Sequence, residues 1–343
     1  MRRWWAAAIA GIVVLAAGIG VADGLGSGST LGVAYVTGGA GSAPSVWLAD
    51  ADGSNARLIG SGSQPLLAPN GSLVAASTAP GLALYPAAGG APHRYFDSAD
   101  ATAVATAFSP DSRYLAVILS STDPASARPS GLAVIDTTTF AYRFIARGQI
   151  YGATFAPDGS DRIAYASAPT AALTAPVDLH VIDADGSGAA QITHDGRSLN
   201  PVWGRAGIAF DRERLRANAE PAYELWFIPT DGGASRPLTA LPIPALREGL
   251  VPIDFSDDGK LLLAEYEGQD TSRAWLVPLS GGHATPLAAG LTGAALSRDG
   301  AYALVDRGGF LNPPDAGSVE AVPVAGGPPR VLAAQGSEPS WNE

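Results

Sequence analysis

Cysteine is absent from all 343 residues, which excludes disulfides, thiolate metal sites, cysteine catalysis and the acylated cysteine of a lipoprotein. Lysine occurs once, at Lys260, and histidine four times, at His93, His180, His194 and His283. No two of these histidines stand at a ligand spacing, so the expectation is isolated surface or interface histidines rather than a metal centre. The chain contains no Gly-x-Ser-x-Gly elbow, no His-Glu-x-x-His and no phosphate loop, so no catalytic residue, cofactor or metal is assigned. Basic residues are also few. With Arg2 and Arg3 set aside, 19 basic residues face 32 acidic ones, and such an acidic domain repels phosphate backbones and disfavours nucleic acid as a partner.

What is abundant is punctuation: 42 Gly and 27 Pro in a chain that is 47% hydrophobic. That composition suits many short strands around a large core and argues against long helices after residue 25. Residues 178–203, DLHVIDADGSGAAQITHDGRSLNPVW, show the unit. Leu179 to Asp183 reads as a strand, Asp185-Gly186 supplies the positive φ of a tight turn, Ala190 to Thr193 returns, and Asn200-Pro201-Val202-Trp203 opens another strand. A unit of this kind cannot bury its own faces, and copies are therefore expected.

Seven copies are present. The third strand of each unit recurs around Trp47, Ala83, Ala133, His180, Trp226, Trp275 and Glu320, each time running into Asp or Pro and a turn. An independent ladder of apolar residues before the next turn recurs at Leu67, Phe108, Phe155, Trp203, Phe255, Leu296 and Trp341. The six steps of that ladder average about 46 residues, the range of four-stranded propeller blades.

The segments FSPDSRYLAVI at 108–118, FAPDGSDRIAYAS at 155–167, FSDDGKLLLAEY at 255–266 and LSRDGAYALV at 296–305 resemble the aromatic-Ser-Pro-Asp-Gly repeats of TolB-like, WD-repeat-like β-propellers. The resemblance covers nearly all of 31–343. Departures are small: Val202 to Gly207 lacks the Pro-Asp pair, and Asn70 stands for Asp before Gly71, where Asn still tolerates a left-handed turn. The resemblance implies an all-β fold, a single seven-bladed propeller of four-stranded blades, in which each blade runs from the innermost strand A outward to D.

The order of elements adds an expectation about closure. Blade one begins at Leu31 with a strand of B type and no strand A before it, whereas Glu338-Pro339-Ser340-Trp341 is a strand A with no blade of its own. The C-terminal strand is therefore expected to complete blade one, a closure that removes exposed sheet edges. Because the chain then stops at this closure, no room is expected for an appended hydrolase domain.

The N-terminus reads as an export segment. Arg2 and Arg3 precede a 17-residue apolar run from Ala6 to Ala22, so residues 1–22 are either a cleaved signal peptide or a retained membrane anchor. Residues 23–30 form a Gly/Ser-rich linker and 31–343 the propeller. The propeller is expected to be extracytoplasmic, touching membrane only through the N-terminal segment.

Two motifs have competing readings. Asp183-Ala184-Asp185-Gly186 and Asp50-Ala51-Asp52-Gly53 look like the first half of a calcium loop, but the twelfth-position glutamate is missing in both, so hairpin turns account for them better. Trp47, Trp226 and Trp275 suggest a sugar platform; their shared repeat position favours packing between blades.

Long B–C loops against tight A–B and C–D turns predict one interaction face, built from B–C and D–A loops. The charged stretch from Asp211 to Glu220 in the B–C loop of blade five, with neighbouring connections, supplies the candidate partner-binding residues: Arg197, Arg212, Glu213, Arg214, Arg216, Arg247 and Glu248. The expected function is a monomeric, non-catalytic scaffold that binds a protein partner in the cell envelope. The alternative is an enzyme, or a carbohydrate or small-ligand binder, using axial carboxylates, for which Asp100, Asp195, Glu248 and Glu338 are the available set.

Overall fold

A computed structural model describes residues 31–38, 44–98, 101–121, 130–170, 172, 175–214, 222–230, 233–238, 249–267, 272–287, 290–297, 299–308 and 317–342. The export segment and linker, Arg216, Arg247, Glu248 and Asp100 lie outside the described residues, as do parts of several B–C loops. Among the described residues no helix is long and apolar enough to cross a membrane.

Seven four-stranded antiparallel sheets form a β-propeller. Strand A of blade one is Ser337–Trp341, paired with Gly32–Thr37, so the closure expected from the orphan strand is present. The remaining inner strands are Ser63–Leu67, Ala101–Phe108, Gln149–Phe155, Ser198–Gly204, Val251–Phe255 and Leu291–Leu296.

Burial explains why the strands read as near-continuous apolar runs rather than alternating ones. Successive side chains of a strand point to opposite faces, and in a propeller both faces are covered by neighbouring blades. In the second strand of blade one, Val33 and Tyr35 join the core shared with blade seven, while Ala34 and Val36 join that shared with blade two. The described residues form seven such clusters, one at each blade interface. Trp47, Trp226 and Trp275 pack at the edges of three of them, so inter-blade packing is what these tryptophans do.

The repeat motif has a direct structural role. In blades three, six and seven the serine hydroxyl after the ladder residue accepts the N–H that opens strand B: Tyr114 to Ser109 at 2.9 Å, Leu261 to Ser256 at 3.0 Å and Tyr302 to Ser297 at 2.9 Å. Each serine donates in turn to the turn aspartate, Asp111, Asp258 or Asp299. A left-handed residue closes the turn: Gly259 and Gly300 in two blades, and Ser112, at φ 64°, in blade three.

The two faces separate as expected. Each C–D turn donates an N–H to the carbonyl of the residue just before strand B of its own blade, from Ala51 to Leu31 in blade one round to Val324 to Ala301 in blade seven. On the opposite face, isolated bridges set D–A connections beside the starts of C strands: Val177 with Arg197 and Tyr223 with Gly249. The Asp183 and Asp50 loops are hairpin turns, with Gly186 at φ 90° and Gly53 at φ 85° donating to the Asp183 and Asp50 carbonyls at 2.8 Å.

Candidate binding site at the loop face and the axial mouth

Inner strands of a propeller must turn sharply, and bulges let them do so. Every inner strand of this chain carries a register shift against strand B. In four blades the shift includes a left-handed residue: Glu338 at φ 50°, Gln64 at 50°, Gly152 at 100° and Asn200 at 45°. Three of these are not glycine. Left-handed backbone costs an ordinary residue roughly 1–2 kcal/mol, so surrounding bonds must hold it.

At Glu338 and Gln64 those bonds come from carboxylates, and a third carboxylate acts alike on the inner strand of blade seven. Glu338 Oε2 accepts the Gln64 N–H, Asp306 Oδ2 accepts the Glu338 N–H at 3.3 Å, and Glu265 Oε2 accepts the Gly293 N–H at 3.0 Å. Each bond runs from one blade to the inner strand of the next. Asp306 and Glu265 are almost fully buried. Burial pushes the Asp306 carboxyl up to about 6, the Glu338 N–H lowers it in part and the Glu338 charge raises it further. Burial likewise raises Glu338, against the Gln64 N–H. Beside them Glu320 is held low by its two bonds from Arg307, Nε to Oε1 at 2.7 Å and Nη2 to Oε2 at 2.8 Å.

The predicted partner-binding residues that are described gather at the blade four and five rim. Arg212 Nε lies 3.2 Å from Asp195 Oδ2, and its guanidinium sits 4.3 Å from the centroid of Trp226. Asp195 also accepts the Arg197 N–H at 2.8 Å and the Ser198 hydroxyl at 3.0 Å. The Glu213 N–H donates to the Arg197 carbonyl at 2.9 Å. The structure thus brings Arg197, Arg212 and Glu213 together on one rim, with Arg214 ending the same strand, Gly207–Arg214. Arg212 is engaged on both sides, by a carboxylate and an aromatic face. The Tyr223 phenol next to them is pushed up to about 12, by burial first and then by Asp211 and Glu213.

Arg216, Arg247 and Glu248 are outside the described residues, but the neighbour of the last is placed. Gly249, at φ 91°, lies so close to strand C that a Cβ there would meet the Tyr223 carbonyl oxygen at 2.0 Å. Only glycine fits this approach. Of the alternative carboxylate set, Asp195 holds the Arg212 rim and Glu338 the inner strand of blade two; Asp100 and Glu248 are not described. Among the described residues no group of three or more His, Asp or Glu could hold a metal ion.

A feature that sequence reasoning missed lies at the other mouth. A cavity of about 100 Å³ opens where the inner strands run into the A–B turns, walled by Leu67, Phe108, Phe155, Trp203 and Phe255 and by Asp254 and Thr154. The ladder of residues 67, 108, 155, 203 and 255 was visible as a repeat; that five of its seven members frame one space follows from circular closure alone.

No protein-family model matches the chain, and no curated protein matches it in sequence. Solved structures of similar fold include TolB from Acinetobacter baumannii, at TM-score 0.55 and 14% identity over 91% of this chain and 66% of that one. An oligogalacturonate lyase from Vibrio parahaemolyticus matches at TM-score 0.56 and 11% identity, over 79% and 81%. A prolyl endopeptidase matches at 0.60 and 13%, over 89% of this chain and 50% of that chain. This chain therefore spans just under two thirds of the TolB chain and half of the endopeptidase. The fold is that of a TolB-like β-propeller. The same frame occurs in a lyase and in a peptidase, so function has to be argued from the site.

Proposed function

With the TolB-like propeller fold as premise, we propose that this chain is an exported cell-envelope protein acting as a monomeric, non-catalytic scaffold that binds a protein partner through its B–C and D–A loop face. The observation that carries this reading is the employment of the mouth carboxylates. Glu265, Asp306 and Glu338 are each committed to a backbone N–H of the next blade. A general acid or base must reach a proton on a substrate, and groups locked between strands serve rigidity instead. The rim around Arg197, Arg212 and Glu213 supports binding: the Arg212 side chain is pre-positioned by Asp195 and Trp226, the Arg197 and Glu213 backbones are tied beside it, and pre-positioning lowers the entropic cost of association. Export rests on Arg2, Arg3 and the apolar run from Ala6 to Ala22, with the propeller outside and membrane contact confined to that segment.

The test pairs capture with variants. Affinity capture from envelope extracts, read by mass spectrometry, is run with the parent, with Arg212, Arg214 and Arg216 changed together to Ala, and with Asp158→Asn and Asp299→Asn on the A–B face. A partner retained by the parent and the A–B variants but lost by the rim variant supports the reading. Equal loss from both faces overturns it, and so does turnover of a peptide or oligogalacturonate by the purified chain.

A further inference from the structure

The outer edge of blade three departs from the other blades in length and in charge. Its D strand, Tyr142–Arg147, has 6 residues, whereas the D strands of the other blades have 2 to 5. Among the described residues it pairs only with Gly131–Asp136, so the main-chain N–H and C=O groups along its far edge meet no strand. Such an edge is a template for one more strand. Residues 137–157 contain no Asp or Glu in a chain with 32 of them, and Arg143 and Arg147 are both exposed.

Arg143 is spared a structural duty that its repeat mates perform. Arg57, Arg236 and Arg330 lie opposite Leu48, Phe227 and Ala321 of their C strands, and Arg143 lies opposite Val134 at the same repeat position. Each of the first three donates from its guanidinium to the carbonyl that opens the C–D turn of the next blade: Arg57 to Ala87, Arg236 to Leu279 at 3.5 Å and Arg330 to Ala51 at 3.3 Å. The corresponding turn residue beside Arg143 is Ala184, and Arg143 makes no bond to it. Neither Arg143 nor Arg147 forms an ion pair among the described residues. Arg143 acts on Asp185 of blade four only at a distance, that carboxyl being held low first by its bonds from Ser187. Arg147 sits 5.8 Å from the centroid of Phe144, and Tyr142 is 51% exposed while its edge meets Phe96 at 4.9 Å.

We propose that this edge docks an extended acidic peptide, which adds a fifth strand to blade three while its carboxylates meet Arg143 and Arg147 and an apolar side chain covers Tyr142. In strand addition the main-chain bonds supply affinity and alternate side chains supply selectivity. The register shift between Phe144 and Ala146 bends the edge, so the added strand follows it most regularly over Tyr142 to Phe144. A second copy of this chain would set arginine against arginine, because both charges of the strand have one sign, and like charges across a strand pair repel. Nucleic acid offers no strand to continue the ladder and is repelled by the acidic domain. The edge lies on the outer wall of the propeller, apart from the loop face proposed above.

The probes are three fluorescein-labelled heptapeptides titrated into the full chain by anisotropy: alternating Glu and Val, the same with Lys for Glu, and the same with Pro for Val. Proline keeps the charge but cannot donate to a ladder. The expected result is saturable binding of the Glu/Val peptide at least tenfold tighter than of either control, weakened about threefold or more in the double variant Arg143→Gln, Arg147→Gln and in Tyr142→Ser. Amide hydrogen exchange of residues 142–147 should slow when that peptide binds. Thermal melts accompany each variant; if the arginine variant does not fold, Tyr142→Ser and the exchange pattern decide. No saturable binding, equal binding of the Glu/Pro peptide, unchanged binding in the folded variants or protection elsewhere than 142–147 overturns the proposal. So does self-association, or binding of a single-stranded oligonucleotide, that the arginine substitutions abolish. Arg212→Ala should bind the Glu/Val peptide as the parent does, which keeps this outcome distinct from that of the loop-face test.

Discussion

Asn342 Oδ1 accepts the Gly32 N–H at 2.6 Å, joining residues 310 apart in the chain. The same side chain donates to the Pro69 carbonyl at 3.4 Å, so one asparagine ties the C-terminus to both blade one and blade two. Beside it Trp341 is 2% exposed in the core between blades seven and one. Trp341→Ala should therefore cost about 3–5 kcal/mol in urea denaturation, as for other emptied aromatic sites. Removing residues 336–343 should leave a chain that aggregates through the uncovered edge. A truncated chain that melts like the parent would disprove that this strand carries the closure.

Acid should stabilise the axial mouth. Asp306 titrates at about 6 in the fold against 3.8 when free. Its folded pKa is raised, so its contribution is complete below pH 3.8 and is lost as pH rises through about 6. The shift corresponds to roughly 3 kcal/mol. Glu338 shifts in the same direction. Asp306→Asn should then be more stable than the parent at pH 7.5 and no more stable at pH 3.5, because the amide keeps an acceptor for the Glu338 N–H. A stability difference independent of pH would contradict this.

Two glycines of the same turn type isolate an inter-blade contact. Gly53 and Gly281 have φ of 85° and 90° in C–D turns. A Cβ on Gly53 would lie 2.2 Å from the Leu332 carbonyl oxygen of blade seven, whereas one on Gly281 meets nothing within 4 Å. Gly281→Ala should cost about 1 kcal/mol, the price of left-handed backbone. Gly53→Ala should cost clearly more, since backbone must move. Equal melting temperatures for the two variants would show that the turn alone matters.

Arg212→Ala should lower stability by no more than about 1 kcal/mol, since its pair with Asp195 is partly exposed. The effect on partner capture should be larger than that of Asp158→Asn, which keeps the acceptor for the Ser160 N–H. Comparable retention of the partner by both variants would argue against the rim.

Sequencing the mature N-terminus distinguishes the two export outcomes. A start at Asp23 identifies a freed envelope protein; an intact Met1 identifies a tethered one.

Amino-acid order by itself determined the blade count, the strand types and the turns, because each is written within one repeat of about 46 residues. Ser256, Asp258 and Gly259 make their turn with partners no more than five residues away, and such local chemistry is legible in any single copy. Closure was legible too, since a surplus strand A at one end matched a missing one at the other. Tertiary structure decided what happens between copies. That Glu338 would serve the Gln64 N–H, Asp254 the Leu296 N–H and Asp195 the Arg212 guanidinium depends on which edge of a blade faces its neighbour. Side-chain alternation leaves no mark of that choice in strands buried on both faces, where either side reads as apolar. For the same reason the cavity appeared only when five ladder residues from five blades were brought round one axis.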